Sequence, residues 1–458
     1  MFFRKQHFHF VGIGGIGMSG IAEVLLTLGH RVSGSDLKLT PITQRLEGLG
    51  ARIFAGHNSE NIEADVTALV VTSAVNETNS EIQEARRRKV PVIPRGELLS
   101  ELMRLKYGVA IGGSHGKTTT TSMAATILAN GGLDPTVVVG GRVSTMGGSN
   151  ARVGQSDLLV VESDESDGSF LKLAPIIAVV TNIDREHLDY YKTFERVLQS
   201  FTDFVNRVPF YGTSILCIDD ENVQRIMPDI RRRVVTYGTT PQADLIIRNI
   251  EMGKASSSFE IHRQGENLGR FVVNVTGAHN ILNSTASIAV SLELGLEPAV
   301  IATGLAAFQG VDRRFQLKGE AAGVTVIDDY GHHPTEVRAT LNAARQRQFA
   351  KIHVLFQPHR YTRTQILMDD FARSFFDADS VTLLDIYAAS EAPIEGVNTS
   401  VLIEKMRASG QRDVDYAPSL EAAAKMLAAK AKAGEMILTL GAGTVSQTGD
   451  LILAELRK

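Results

Sequence analysis

Short apolar runs of strand length alternate with helical periodicity along nearly the whole chain, which predicts α/β architecture with largely parallel sheets. The first block runs from "HFHFVGIGG" to "VPVIPRGELL" and includes the strand "TALVVTSAV" and a helix opening near "NSEIQEARRR". The second opens at "YGVAIGGSHGKTTTTSMAATILANGG" and continues through the apolar strands "DLLVVES" and "APIIAVVTNID". Between roughly 235 and 276 the pattern changes to short alternating stretches, "SSFEIHR" and "GRFVVNVTG", as expected of an antiparallel side sheet. The helix "NILNSTASIAVSLELG" follows. A third block, after "FQGVDRRFQLKGE", holds four strand candidates: "VTVIDDYGHH", "KIHVLFQPHR", "SVTLLDIYAAS" and "EMILTLGAGT". Each ends in a polar or glycine-bearing loop, where an open α/β sheet collects its ligands.

Composition narrows the picture in a few respects. A chain of 458 residues is too long for one ordinary core, so two or three domains are expected. With 43% hydrophobic and 21% charged residues it is a foldable chain, and a net charge of −4 gives no reason to expect nucleic acid as a partner. The one cysteine, Cys217, excludes internal disulfides and thiolate-cluster metal sites, and reads as a small buried apolar residue. No run of about 18 apolar residues is present to span a membrane. The first strand starts almost at once, leaving no room for a signal peptide, and the cytoplasm is the expected compartment.

Candidate chemistry sits at strand ends. "FVGIGGIGMSG", residues 10–20, is a strand–turn–helix whose glycines let backbone amides approach a diphosphate, and Asp36 lies where a dinucleotide-binding protein keeps its ribose carboxylate. In "GVAIGGSHGKTTTT" a strand gives way to Gly113, Ser114, His115 and Gly116, then Lys117, Thr118 and Thr119 at a helix start. Such a loop holds phosphate oxygens on its amides, with the lysine on the terminal phosphates and the first threonine hydroxyl on Mg²⁺. The loop is shorter than the common P-loop, since Ile111 occupies the position of its first glycine. "DLLVVESDESDGS" ends a buried strand with Glu162, followed by Asp164, Glu165 and Asp167. Carboxylates this close call for a cation, and Mg²⁺ prefers oxygen ligands shared with phosphates. His187, in "VVTNIDREHLDYY", follows a strand expected beside the P-loop strand and could ligand a second metal or orient a substrate. In the third block, Arg313, Arg314, Arg360 and Arg363 are of the type that grips carboxylates and phosphoryl groups, while "DDYGHHPTE" places Asp328, Asp329, Tyr330 and His332 before the helix-starting Pro334. The adjacent pair His332 and His333 lacks a spaced partner, so zinc is not expected there.

Taken in order, "HFVGIGGIGMSGIAE", "GSHGKTTTT", "ESDESDGSFL", "VVTNIDREHLDYY", "GAHNILNSTA", "DRRFQ", "DDYGHHPTEV", "FQPHRYTRT", "LDIYAASEAPIEGV" and "LTLGAGTV" make the chain resemble the Mur ligases of bacterial cell-wall synthesis over its whole length. The resemblance implies three domains: a Rossmann-like UDP-sugar domain over 1–95, a central P-loop ATPase domain with a side β-sheet over 96–312, and a Rossmann-like C-terminal domain over 313–458 that helps to bind ATP and the amino acid. It also answers what the first glycine turn holds, namely a UDP-sugar rather than a dinucleotide, with Gly14, Gly15, Ile16, Gly17, Met18, Asp36 and Ser73 as its binding set. By the same resemblance Lys117 contacts the ATP phosphates, Thr118 and Glu162 hold one Mg²⁺, and His187 serves a second. His279, Asn280 and Asn283 contact the adenine nucleotide, and Arg314 reaches the phosphates. Asp329, Tyr330, His332, His359, Arg360 and Arg363 line the region of nucleotide, amino acid and transferred phosphate. Several family members carry a carbamylated lysine after the histidine motif. Here only Lys192 stands there, so no such modification is expected.

The reaction implied is an ATP-dependent amide ligation, in which the lactyl carboxylate of UDP-N-acetylmuramate becomes an acyl phosphate that the amine of L-alanine attacks. Cations neutralise the moving phosphoryl group, and His187 or His359 is a candidate general base. The expected partners are these small molecules alone, on a monomer or homodimer. The alternative within the family is the recycling ligase that attaches a whole tripeptide.

Overall fold

The computed structural model describes residues 5–72, 75–143 and 149–458. The apolar runs form three sheets. In the first, β1 (His7–Val11), β2 (Arg31–Asp36), β3 (Arg52–Ala55), β4 (Ala68–Val71) and β5 (Val92–Pro94) lie in the order β3-β2-β1-β4-β5, all parallel. Around it run α1 (Ile16–Thr27), α2 (Pro41–Gly48), α3 (Ser80–Arg87) and α4 (Arg95–Met103). The chain leaves β1 toward β2 on one side and returns to β4 on the other, so the winding reverses beside the glycine turn, where such sheets open a crevice. Polar groups inside this core are matched. Glu81 is fully buried and accepts from Ser35 Oγ and Asn61 Nδ2, each at 2.6 Å, while His9 Nδ1 meets Ser33 Oγ at 2.8 Å. Burial raises the Glu81 carboxyl, but the hydrogen bonds from His9, Ser35 and Asn61 more than offset this and hold it below the usual range.

The second sheet has ten strands: β6 (Tyr107–Gly112), β7 (Thr136–Val143), β8 (Ser149–Arg152), β9 (Leu158–Glu162), β10 (Ile177–Val180), β11 (Thr213–Cys217), β12 (Val234–Gly238), β13 (Leu245–Met252), β14 (Ser257–Arg263) and β15 (Glu266–Val273), in the order β15-β14-β13-β12-β11-β10-β6-β9-β7-β8. β6 lies between β10 and β9, parallel to both. The strands expected as a side sheet extend this one, because β12 pairs in parallel with β11 and β13 with β12. From β6 the chain enters α5 (Lys117–Asn130), buried from Thr118 to Leu128. A helix this rich in threonine can be buried because Thr121, Ser122 and Thr126 each return a hydroxyl to the carbonyl four residues back. Cys217 is buried on β11, and burial pushes its thiol up to about 12.

The third sheet contains β16 (Gln316–Ala321), β17 (Val324–Asp329), β18 (Ile352–Phe356), β19 (Ser380–Leu383), β20 (Val414–Tyr416) and β21 (Met436–Leu440), in the order β16-β17-β21-β18-β19-β20. Only β16 is antiparallel to its neighbour. The chain divides into two compact units. One comprises 1–250, 259–273 and 282–309 and holds the first sheet with nearly all of the second, while the other comprises 251–258, 274–281 and 310–458. In the first unit one apolar cluster is continuous from Phe10 and Leu25 through Leu99 and Val161 to Phe204. Among the described residues no helix is long and apolar enough to cross a membrane.

Candidate active site

The P-loop is built as its spacing predicts. Gly113 (φ 128°) and Gly116 (φ 82°) take left-handed conformations, and a Cβ on either would strike Thr181 or Asn283. Gly116 caps α5, so the loop runs directly into the helix N-terminus. A brace from the loop after β10 fixes it. Asn182 O accepts from Ser114 N (3.0 Å), Asn182 Oδ1 accepts from His115 N (2.8 Å), and Thr181 Oγ1 donates to His115 O (2.6 Å). Asp184 Oδ2 lies 3.0 Å from His115 Nε2, and Ser114 Oγ accepts from Asp184 N at 2.8 Å. This stretch draws attention in the sequence for His187, whereas the brace is marked only by "TNID", three polar residues around Ile183 directly after an apolar strand.

Lys117 Nζ donates to Gly113 O (2.7 Å), Ser114 O (3.0 Å) and Glu165 Oε1 (2.8 Å). Burial alone would lower its ammonium, yet Glu165 with Glu162 and Asp164 raises it, so the lysine is charged. Thr118 Oγ1 lies 3.0 Å from Glu162 Oε1, bringing a hydroxyl and a carboxylate together where the loop enters α5, while Glu162 Oε2 accepts from Gly140 N at 2.6 Å. Thr118 thus differs from Thr121 in where its hydroxyl goes. Thr119 is buried at the helix start. His187 Nε2 lies 3.5 Å from Glu165 Oε1; burial lowers the imidazole, but Glu165 and then Glu186 raise it overall. Glu165, 2% exposed, is therefore shared by Lys117 and His187, and its Oε2 has no hydrogen-bond partner among the described residues.

At the glycine turn, Gly15 caps α1, and Gly14 N donates to Asp36 Oδ2 at 2.9 Å. Asp36 Oδ1 also accepts from Lys38 N at 3.3 Å, so this carboxylate braces the turn and the loop after β2 instead of standing open to a ribose. Ile16 O accepts from Asn150 Nδ2, and Ser19 Oγ is 3.2 Å from the same amide, tying the first turn of α1 to β8. Gly17 and Met18 complete that turn, Met18 with its side chain in the core. Ser73 lies outside the described residues. Arg95, which the sequence reading passed over, joins this region to the acidic loop by donating to Asp164 Oδ2 at 3.0 Å.

In the second unit a cluster forms beyond β17 and β18. The guanidiniums of Arg313 and Arg314 lie 4.9 and 5.2 Å from the Tyr330 ring centre. Tyr330, His332, His359 and Tyr387 follow one another as ring contacts of 5.2, 5.7 and 5.6 Å. Arg363 Nη1 donates to His359 Nδ1 at 3.2 Å, and Arg314 Nη1 is 3.6 Å from Glu336. Arg360 caps the helix Tyr361–Ile366 in a positive-φ conformation. Asp329 is buried and spends its carboxylate on the protein, accepting from Phe315 N (2.7 Å), Gly331 N (2.8 Å) and Thr340 Oγ1 (3.2 Å). It therefore shapes the loop, which places Tyr330. The two histidines part company, since His333 caps the helix Pro334–Gln346 while His332 joins the ring ladder. His279 belongs to this unit, and burial and then Arg314 lower its imidazole to about 4, so it is neutral at pH 7. Asn280 Nδ2 donates to Thr276 O at 2.8 Å, whereas Asn283 falls in the first unit against Gly116 of the P-loop.

Three family models match successive parts of the chain. The Mur ligase family's catalytic-domain model matches residues 7–107, its middle-domain model 111–291, and its glutamate ligase domain model 313–443. A UDP-N-acetylmuramate–L-alanine ligase of Solibacter usitatus is 63% identical over 100% of this chain and 97% of its own length. The enzyme of the same name from Koribacter versatilis is 57% identical over 100% and 98%. The crystal structure of UDP-N-acetylmuramate-alanine ligase from Thermotoga maritima superposes with a TM-score of 0.83 at 28% identity, covering 98% of each chain. With three successive models matched and full-length relatives at this identity, the chain belongs to the Mur ligase family.

Proposed function

We propose that the protein joins L-alanine to the lactyl carboxylate of UDP-N-acetylmuramate, converting ATP to ADP and phosphate, in cytoplasmic synthesis of the peptidoglycan precursor. The observation that carries this reading is the 63% identity, end to end, to an enzyme of that name. The geometry supports it. A carboxylate is a poor electrophile, and a P-loop centre such as that of Lys117 activates one by transferring a phosphoryl group to it, giving an acyl phosphate. Lys117 would exchange its loop carbonyls and Glu165 for phosphate oxygens. Gly113 to Thr119 would cradle the phosphates, with Asn283 beside Gly116.

The Thr118 hydroxyl and Glu162 carboxylate are hard oxygen donors 3.0 Å apart, a set that suits Mg²⁺. When bound there, the ion would neutralise charge on the transferred phosphoryl group. His187 with Glu165 is the place for a second ion, Glu165 contributing the oxygen that Mg²⁺ prefers. In the C-terminal unit His279, Asn280, Arg314 and Tyr330 would contact the nucleotide, and His332, Arg360 and Arg363 the amino acid and phosphate. Because Arg363 donates to Nδ1 of His359, any proton on that ring sits on Nε2, leaving Nδ1 unavailable as a base. On the first unit, Gly14 to Met18 with Asp36 behind them would seat the UDP moiety, in a monomer or homodimer.

The test is phosphate release from ATP and Mg²⁺ with UDP-N-acetylmuramate, comparing L-alanine, the L-Ala-γ-D-Glu-meso-diaminopimelate tripeptide and no acceptor. Release that requires both the UDP-sugar and L-alanine is expected. Release with the tripeptide alone would move the protein to the recycling reaction, and release indifferent to the sugar nucleotide would refute the proposal.

A further inference from the structure

Arg95 opens α4 at the carboxyl end of β5, on the ligand edge of the first sheet. Its side chain lies against Gly17 in the first turn of α1. A Cβ added to Gly17 would stand 2.8 Å from Nη1, 3.2 Å from Cζ and 3.3 Å from Cδ. The absent side chain of Gly17 thus admits the arginine. On its other side Nη2 reaches Asp164 at 3.0 Å, so the guanidinium spans the glycine turn and the acidic loop after β9. It borders a small cavity whose wall includes Leu99, Glu162, Asp164 and Ser169. Gly96 is seated so closely on Ser169 that a Cβ would collide with it, which fixes the backbone from which Arg95 projects. The arginine is 19% exposed and its partner Asp164 41% exposed. A single hydrogen bond to a carboxylate this open is a weak reason to hold an arginine there.

We propose that Arg95 is a further substrate-binding residue, whose guanidinium grips the diphosphate of the sugar nucleotide on the first turn of α1, and that Asp164 occupies the guanidinium until the diphosphate displaces it. This rests on the reading that the glycine turn seats a UDP-sugar. Asp36 already sits on the Gly14 amide, so the turn meets an incoming anion with one carboxylate behind it and needs a cation in front. A helix N-terminus offers partial charge only, whereas a guanidinium supplies a full charge and a planar fork matched to phosphate oxygens. The diphosphate carries more charge than Asp164 and can engage both ends of the fork, which favours the exchange.

Calorimetric binding in the absence of ATP tests the proposal on the full chain, using UDP-N-acetylmuramate and UDP-N-acetylglucosamine, which share the diphosphate but not the carboxylate. Arg95→Ala is expected to weaken both by about 10- to 100-fold, the effect of losing a charged hydrogen-bond partner. Arg95→Lys should recover part of the loss, and Asp164→Asn, which removes the competing carboxylate, should tighten both several-fold. In turnover the KM for UDP-N-acetylmuramate rises with kcat and the KM for ATP little changed. Equal affinity in Arg95→Ala and wild type overturns the proposal. So does a loss confined to the carboxylated sugar, which would put Arg95 on the lactyl group, or a parallel loss of ATP affinity in both Arg95 variants, which would make it a strut. Wild-type protein that binds neither sugar nucleotide would instead defeat the underlying reading, and Arg95 with it.

Discussion

Replacing Lys117 by methionine separates what the lysine does for the fold from what it does for the reaction. The side chain is of similar length but loses its charge, leaving Glu165, 2% exposed, without the ammonium 2.8 Å from Oε1. Removing one partner of a buried ion pair costs about 3–5 kcal/mol. His187, 3.5 Å from the same oxygen, remains as partial compensation, so the lower end of that range is expected. Spread over a cooperative unit of this size, the loss lowers its melting temperature by roughly 5 °C. Scanning calorimetry reads this directly, and the transition belonging to the first unit is the one that sugar nucleotide raises. Adding Glu165→Gln to Lys117→Met removes the stranded charge and should restore at least half of the loss. Phosphate release behaves differently, because it needs the ammonium on the transferred phosphoryl group. It should fall by at least about 100-fold in Lys117→Met and stay there in the double variant, while both variants still bind UDP-N-acetylmuramate. A double variant no more stable than Lys117→Met would refute the pairing argument. Turnover restored by Glu165→Gln would refute the catalytic one.

Three further outcomes follow from other contacts. Asn182→Ala removes the side-chain bonds to His115 N and O, and should raise the KM for ATP about tenfold with sugar-nucleotide affinity unchanged, read from initial rates. Chelation of divalent cations should stop phosphate release and added Mg²⁺ restore it; Thr118→Ala should increase the Mg²⁺ needed for half-maximal rate about tenfold and Thr118→Ser much less, because serine keeps the hydroxyl. Glu81 has a folded pKa below its unfolded value, so the stability it contributes is present above about pH 4.3 and is lost as the pH falls through the folded value; Glu81→Gln should flatten this acid limb in pH-dependent melting of the first unit, and an unchanged slope would dismiss the network as its cause.

The features legible along the chain are those whose partners lie close in sequence. Glycines at 113 and 116 before a threonine-rich helix specify a strand–loop–helix turn, because positive φ at those points and the helix start are local geometry. The alternation of apolar runs predicts largely parallel sheets for the same reason, and the side-sheet strands after β12 join the second sheet as its continuation. Side-chain roles were harder to read wherever the partner is distant. Thr118 and Thr121 look alike in "GKTTTT", and what distinguishes them is Glu162, 44 residues from Thr118 and brought there by β9 lying next to β6. The Asn182 brace on His115 spans 67 residues, and Arg95 meets Asp164 across 69. Asp36 ends β2, but only the packed turn shows it accepting from Gly14. Sequence by itself therefore determined the elements, the glycine loop before α5 and the family, since these depend on backbone conformation, periodicity and motifs within a few residues. Tertiary structure decided which charges are paired and which side chain serves a ligand or the fold, because strand order sets those neighbours and no local spacing encodes it.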